Sequence, residues 1–293
     1  MIDLHCHILP GIDDGAADLA VSVAMARAFV ADGVSVVACT PHILPGLYSN
    51  SGPEIRKAMA RLQQALDGDG IPLRLVTGAD NHIVPSFVAE LRSGHLLSLA
   101  DTRYVLVEPP HHIPPPRMED LFFSLLVAGY VPILTHPERL TWIKTHYAAV
   151  QRLARSGVWM QITAGSLAGA FGRNARYWSE RMLDEGCVHI LATDAHDVDR
   201  RPPNLSLGRE LAAKRVGDLE AQNLVETRPA GVLRNDLPGH LSLPNPAVAS
   251  SGIVYSRSGV LTDTGNEAGT GNSCTDHGAA DRSFAGRLRR FFK

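Results

Sequence analysis

His5 and His7 stand two residues apart at the end of an apolar run, in IDLHCH. On a strand this spacing puts both imidazoles on one face and Cys6 on the other, so the pair can share one metal ion while Cys6 packs inward. Alone, an HxH pair is weak, because a histidine satisfied within the core is the commoner outcome. The pattern recurs, however. Asp194 and His196 repeat the spacing in LATDAHD, His136 ends a run in LTHPER, His42 follows one in CTPHI, Asp80 follows another and Glu108 closes a further one. Imidazole combined with carboxylate suits Mn, Fe, Zn or Co. Eight donors are too many for one ion. Two or three divalent ions are therefore expected, lowering the pKa of a bound water and clamping phosphoryl oxygens. Unrelated surface groups explain the set poorly, since His and Asp buried at so many strand ends would lack partners.

Seven short apolar, β-branched runs must position these residues: Ile2–His7, Val34–Thr40, Pro72–Gly78, Tyr104–Glu108, Val131–His136, Val158–Thr163 and Val188–Asp194. Between them lie helical patterns at Asp18–Asp32, Pro53–Asp67, Pro85–Leu99, Met118–Ala128, Tyr147–Arg155 and Ala175–Glu185. Strands buried on both faces and alternating with helices predict a parallel α/β sheet, either doubly wound or closed into a barrel. A barrel collects its site from the ends of many strands, whereas a doubly wound sheet concentrates it in one crevice. The polar residue at nearly every strand end therefore predicts a distorted, TIM-like (β/α)7 barrel.

The barrel domain is expected over 1–237. Residues 238–281 are rich in Gly, Ser, Pro, Asn and Thr without helical period, which predicts a flexible, disordered tail over 238–293. Its last segment, Arg282–Lys293, sets five basic side chains beside Phe284, Leu288, Phe291 and Phe292, a pattern that fits a short amphipathic helix in peripheral contact with a membrane or partner. A frayed, solvated terminus is the plainer reading, because so short a helix is marginal in water.

The net charge of −2 gives no global attraction to nucleic acid, and the barrel region has no extended basic track. The four cysteines Cys6, Cys39, Cys187 and Cys274 form neither a CxxC pair nor a dense disulfide spacing, and no basic-then-apolar leader opens the chain. No stretch reaches the ~18 apolar residues of a membrane span. A cytoplasmic protein without a transmembrane segment is expected. No GxxxxGK[ST] loop occurs, and the residues six positions after each cysteine are Ile12, Pro45, Thr193 and Ala280, so a cysteine-dependent phosphatase motif is absent.

Taken in order, MIDLHCHILPGIDDGA, ACTPHI, TGAD, VLVE, THPER and ATDAH resemble the PHP (polymerase and histidinol phosphatase) superfamily. More narrowly, they resemble its bacterial manganese-dependent protein-tyrosine phosphatases of capsule and exopolysaccharide synthesis. The resemblance covers about residues 1–205 and is carried most specifically by HILPGIDDGA. It implies a trinuclear site with ligands at His5, His7, His42, Asp80, Glu108, His136, Asp194 and His196, manganese foremost and Fe, Co, Zn or Mg as alternatives. It also implies phosphate-binding roles for Arg139 and Arg201, although each could form an ordinary surface salt bridge and Arg200 competes for the second role. Asp80 departs from the family's frequent Glu and is one methylene shorter, which bears on bridging geometry. Asp13 and Asp14 are read as turn formers in PGIDDG, ahead of a role in orienting ligands. His82, His111 and His112 are read as loop histidines.

The expected reaction is attack of a metal-bound hydroxide on the phosphorus of protein phosphotyrosine, the substrate being a bacterial tyrosine autokinase of polysaccharide export. Two alternatives stay open. One is the same chemistry on a small phosphomonoester resembling histidinol phosphate or on a nucleic-acid end. The other is a metal-stabilised module without catalysis.

Overall fold

In a computed structural model of the chain, which describes residues 1–247, the backbone forms short, parallel strands. They are β1 (Ile2–Cys6), β2 (Val36–Cys39), β3 (His42–Ile43), β4 (Arg74–Thr77), β5 (Asp80–His82), β6 (Tyr104–Glu108), β7 (Val131–Thr135), β8 (Trp159–Thr163) and β9 (Ile190–Ala192). One sheet runs β1-β2-β4 and the other β3-β5-β6-β7-β8-β9. Because β3 continues β2 after Thr40 and Pro41, and β5 continues β4 after Gly78 and Ala79, these make seven strand positions. The ring returns on itself through a parallel bridge between Cys6 and Ala195, with Asp194 N donating to His5 O (2.9 Å) and His7 N donating to Ala195 O (2.9 Å). This is the expected distorted (β/α)7 barrel.

The two interruptions have local causes. Pro41 has no N–H to continue a ladder, and the hydroxyl of Thr40 instead accepts from Cys6 N at 2.8 Å. At the neighbouring break a Cβ on Gly78 would stand 2.9 Å from Leu99 Cδ2 and 3.0 Å from Thr40 Cγ2, so only glycine lets the two bends lie against one another. Each break re-aims the chain. His42 and Asp80 then pair in register as the first residues of β3 and β5.

Helices cover the outside because their apolar residues recur at helical spacing. The helix Leu19–Ala31 is capped by the Asp18 carboxylate, which accepts from Val21 N, and it buries Ser22, Met25, Ala26 and Phe29. Burying side chains the size of Met25 and Phe29 stabilises by ~1.5–3 kcal/mol each. The helix expected over Pro85–Leu99 is shorter, Phe87–Ser93, because Gly94 takes φ +76° and ends it. The helix expected from Tyr147 begins earlier, at Ile143.

Inside the ring, Leu4, Ala38, Val76, Tyr104, Leu106, Ile133, Trp159 and Ile190 form an apolar plug to which every strand position contributes. The barrel is therefore a packed core with its chemistry confined to one end. In β1 the register shifts between Asp3 and Cys6, so Leu4 joins the plug while His5 and His7 both reach the polar end above it. The buried Asp3 carboxylate supports this shift by accepting from His5 N and Thr193 N (both 3.2 Å).

The body continues past Leu237. Arg228 Nε donates to Ser242 O at 2.7 Å, Ala247 N donates to Asp184 O at 3.1 Å, and Gly231 leaves the space that Leu241 fills. The remainder of the expected tail, including Arg282–Lys293, lies outside the described residues.

Candidate metal centre

All eight expected ligands meet at the C-terminal end of the strands. His5 and His7 come from the end of β1 and just beyond it, His42 from β3, Asp80 from β5, Glu108 from the last position of β6, His136 from the residue after β7, and Asp194 and His196 from the turn after β9. The spacing is tight. His5 Nε2 lies 3.4 Å from Asp80 Oδ2 and 3.4 Å from Asp194 Oδ1, and His7 Nε2 lies 3.2 Å from the same Asp194 oxygen. Across the site, His42 Nδ1 is 3.1 Å from Glu108 Oε2, and His136 Nε2 is 3.6 Å from Glu108 Oε1 and 3.9 Å from Asp80 Oδ2. Asp80 and Asp194 therefore sit between the histidines, where a carboxylate can bridge two ions.

Turning the chain sharply inward at β7 and β9 needs unusual backbone. His136 has φ +33° and Asp194 φ +52°, a region that histidine and aspartate enter more readily than most side chains.

Orienting partners hold the rings. His5 Nδ1 meets Gln161 Oε1 at 2.9 Å, and His7 Nδ1 meets Asp13 Oδ2 at 2.7 Å, leaving both Nε2 atoms turned to the centre. Asp13 also accepts from Gly15 N (3.0 Å), so the expected turn is present and the same carboxylate orients His7. Gly15 lies so close over His7 that an added Cβ would be 2.1 Å from its carbonyl oxygen.

Three residues read as turn or loop in the sequence join the cluster. Asp14 Oδ1 is 3.5 Å from His42 Nε2 and 3.4 Å from His196 Nε2. His82 contacts Glu108 directly, and His111 Nε2 is 3.8 Å from Glu108 Oε1. The groupings His7, Asp14, His42 and His196; His5, His7 and Asp80; His5, His136 and Asp194; His42, His82 and Glu108; and Glu108, His111 and His136 each bring donor atoms within 4.8 Å of one another. A PGIDDG turn gives no sign that its second Asp faces a strand nearly two hundred residues away. Gln161, on β8, is invisible for the same reason.

Burial and charge oppose one another throughout. Burial alone would lower the pKa of His5, but the carboxylates of Asp80 and Asp194 push it up to about 9. Burial likewise disfavours protonated His42, yet Glu108 and Asp80 raise it to about 10. Burial raises Asp80 and Asp194, and the surrounding cations overcome it, holding Asp80 low mainly through His5 and Asp194 through His5, Arg201 and Arg139. His196, buried and facing His7, falls to about 4. The carboxylates thus demand positive charge in the centre.

The donor set fits divalent ions. Both oxygens of Asp80, buried completely, lack a well-formed hydrogen bond, as do Glu108 Oε2 and His196 Nε2. Buried polar atoms without partners are costly, and a shared cation satisfies these together.

Arg139 and Arg201 both donate to Asp194 Oδ2 at the rim, whereas Arg200 points to solvent, 91% exposed, with Asp197 3.6 Å away. The structure brings Arg201, not Arg200, to the centre. His112 is exposed beside His111.

A parallel β/α barrel with five histidines and three carboxylates converging at one end defines a metal-binding barrel of the hydrolase type. Residues 1–234 match the family described as "Capsular polysaccharide synthesis, CpsB/CapC", and the chain belongs to that family. It is 41% identical over 201 residues to the tyrosine-protein phosphatase YwqE of Bacillus subtilis, covering 69% of this chain and 79% of YwqE. It is 24% identical over 242 residues to the tyrosine-protein phosphatase CpsB of Streptococcus pneumoniae, covering 81% of this chain and 100% of CpsB. A crystal structure from work on YwqE and CpsB, described there as unique metal-dependent tyrosine phosphatases, superposes with a TM-score of 0.79 at 36% identity, covering 85% of this chain and 100% of that one.

Proposed function

We propose that this chain is a metal-dependent protein-tyrosine phosphatase of capsule or exopolysaccharide synthesis, acting in the cytoplasm on an autophosphorylated bacterial tyrosine kinase. The observation that carries the chemistry is the buried, unsatisfied Asp80 carboxylate lying among histidines, with two arginines converging on Asp194 at the rim. The likeness to YwqE and CpsB supports the substrate class.

His5, His7, His42, Asp80, Glu108, His136, Asp194 and His196 would hold two or three ions, manganese first, with Asp14 able to share one between His42 and His196. Ions held there supply an activated water and neutralise charge on the phosphoryl oxygens. The remaining work belongs to the side chains. Asp13 and Gln161 fix the tautomers of His7 and His5 so that each Nε2 presents a lone pair. The planar forks of Arg139 and Arg201 match phosphoryl oxygens, and Arg201 Nε, buried and without an acceptor, has a donor to spare. The catalytic body includes the segment packed on it up to Ala247, and turnover does not require the rest of the tail.

No helix among the described residues is long and apolar enough to cross a membrane. The test is metal content together with turnover of a phosphotyrosine peptide, histidinol phosphate and a 5′-phosphorylated oligonucleotide, for wild type and His136→Ala. Preferential, metal-dependent peptide turnover that is lost in His136→Ala is expected. An active metal-free wild type would overturn the metal assignment, and preference for either other substrate would overturn the phosphotyrosine assignment.

A further inference from the structure

The two rim arginines share a third contact. The guanidinium carbon of Arg139 lies 4.2 Å from the centre of the Phe171 ring, and that of Arg201 lies 5.7 Å from the same centre. From these distances we infer that Phe171 is a positioning residue that seats both guanidiniums as one anion clamp. The inference rests on the phosphate-binding role proposed for the two arginines.

Like charges crowd this rim. Two guanidiniums converge on a single carboxylate oxygen of Asp194, and their side chains are only 13% and 25% exposed. Asp194 offsets one positive charge. The negative face of an aromatic ring stabilises the excess without providing a competing hydrogen-bond acceptor, so the forks stay free for phosphoryl oxygens.

The backbone of Arg201 is already tied down, its carbonyl accepting from His196 N (3.0 Å) and its N–H donating to the Asp197 carboxylate (3.3 Å). The side chain is held at one end by Asp194, and Phe171 lies beside the guanidinium.

The surrounding fold serves this placement. Phe171 lies in the connection after β8, between the short helix Ala164–Leu167 and the helix Gly172–Asp184. Gly169 and Gly172 take φ +84° and +85°, and an added Cβ on Gly165 would lie 3.1 Å from Phe171 Cε2. Glu138, adjacent to Arg139 in HPER, is buried and accepts from Thr163 N (2.9 Å) and Ser166 Oγ (2.8 Å). It locks the loop that carries Arg139 to the one that carries Phe171.

The test uses full-length, metal-loaded protein, phosphotyrosine-peptide kinetics and inorganic phosphate as competitive inhibitor. Phe171→Leu should raise KM and the phosphate Ki together by ~10-fold, a size typical of two partly desolvated cation–π contacts. Metal content should be unchanged, and Phe171→Tyr should restore both constants. In an Arg201→Ala background the same Leu substitution should have a clearly smaller effect on Ki, because one of the two stacked cations is gone. A Phe171→Leu protein that binds phosphate like wild type overturns the inference, as does an undiminished effect in the Arg201→Ala background. If Arg139→Ala and Arg201→Ala themselves leave Ki unchanged, the underlying assignment of the arginines fails instead. Should Phe171→Leu fold poorly, Gly165→Ala displaces the ring by a few tenths of an ångström and should raise Ki in the same direction; no change there also overturns the inference.

Discussion

Two buried polar clusters sit in this barrel and meet the same problem differently. The second surrounds Arg228, wholly buried, whose Nη2 donates to Glu220 Oε1 (2.7 Å), Nε to Ser242 O (2.7 Å) and Nη1 to His189 O (3.4 Å). His189 is neutral there, burial and then Arg228 lowering it to about 3, and it stacks on Trp159 while its Nδ1 accepts from Met160 N at 3.1 Å. Protein atoms satisfy this cluster. In the metal centre, by contrast, both Asp80 oxygens, Glu108 Oε2 and His196 Nε2 have charged neighbours but no well-formed hydrogen bond. Burial and residue type are alike in the two places, and satisfaction distinguishes structural support from a site that requires something from outside.

Four experiments put this contrast to the test. Asp80→Ala should lower phosphotyrosine-peptide turnover by ~10³-fold, the scale of losing a principal electrostatic element. At pH 7 the chelated variant should also lose Tm, because the protonated His5 and His42 rings lose a carboxylate partner, and metal-loaded wild type should not show this dependence; an unchanged Tm under chelation would show that these rings are neutral without metal. Arg228→Ala should spare the chemistry, destabilising the fold by ~3–5 kcal/mol through stranding Glu220, with kcat per folded molecule unchanged. Denaturant unfolding and turnover on the same sample separate the two. Gln161→Leu, which frees the His5 ring without removing a ligand, should weaken metal binding by ~10–100-fold, measured against a competing chelator. Unchanged affinity would mean that Gln161 only fills space.

The smallest effect concerns pH. The raised pKa values of His5 (about 9) and His42 (about 10) mean that protonated imidazoles stabilise the metal-free fold fully below the unfolded value of about 6.5, and that this contribution is lost as pH rises through 9 to 10. The Tm of chelated protein should therefore fall by several degrees between pH 7 and pH 10, and that of metal-loaded protein should fall less. Parallel curves would argue that no cation replaces those protons.

The seven strand positions were legible because buried parallel strands are written in short β-branched runs, and the eight candidate ligands because each ends or follows such a run. Asp14, His82 and Phe171 were not legible. Asp14 sits in a turn motif that explains it locally, His82 follows the break at Gly78 that brings β5 back to the site, and Phe171 meets its arginines only where the loops after β7, β8 and β9 converge. The helix ending at Gly94 was overextended because apolar residues continue beyond it to Leu99, packing without helical backbone.

The left-handed backbone at His136 and Asp194 has a consequence for descent. Each residue holds its chain in a conformation that glycine or asparagine would adopt more readily, so these positions resist drift only while chemistry holds them. Among barrels of this family, glycine or asparagine at either position would mark a lineage that has lost a donor side chain and kept its fold.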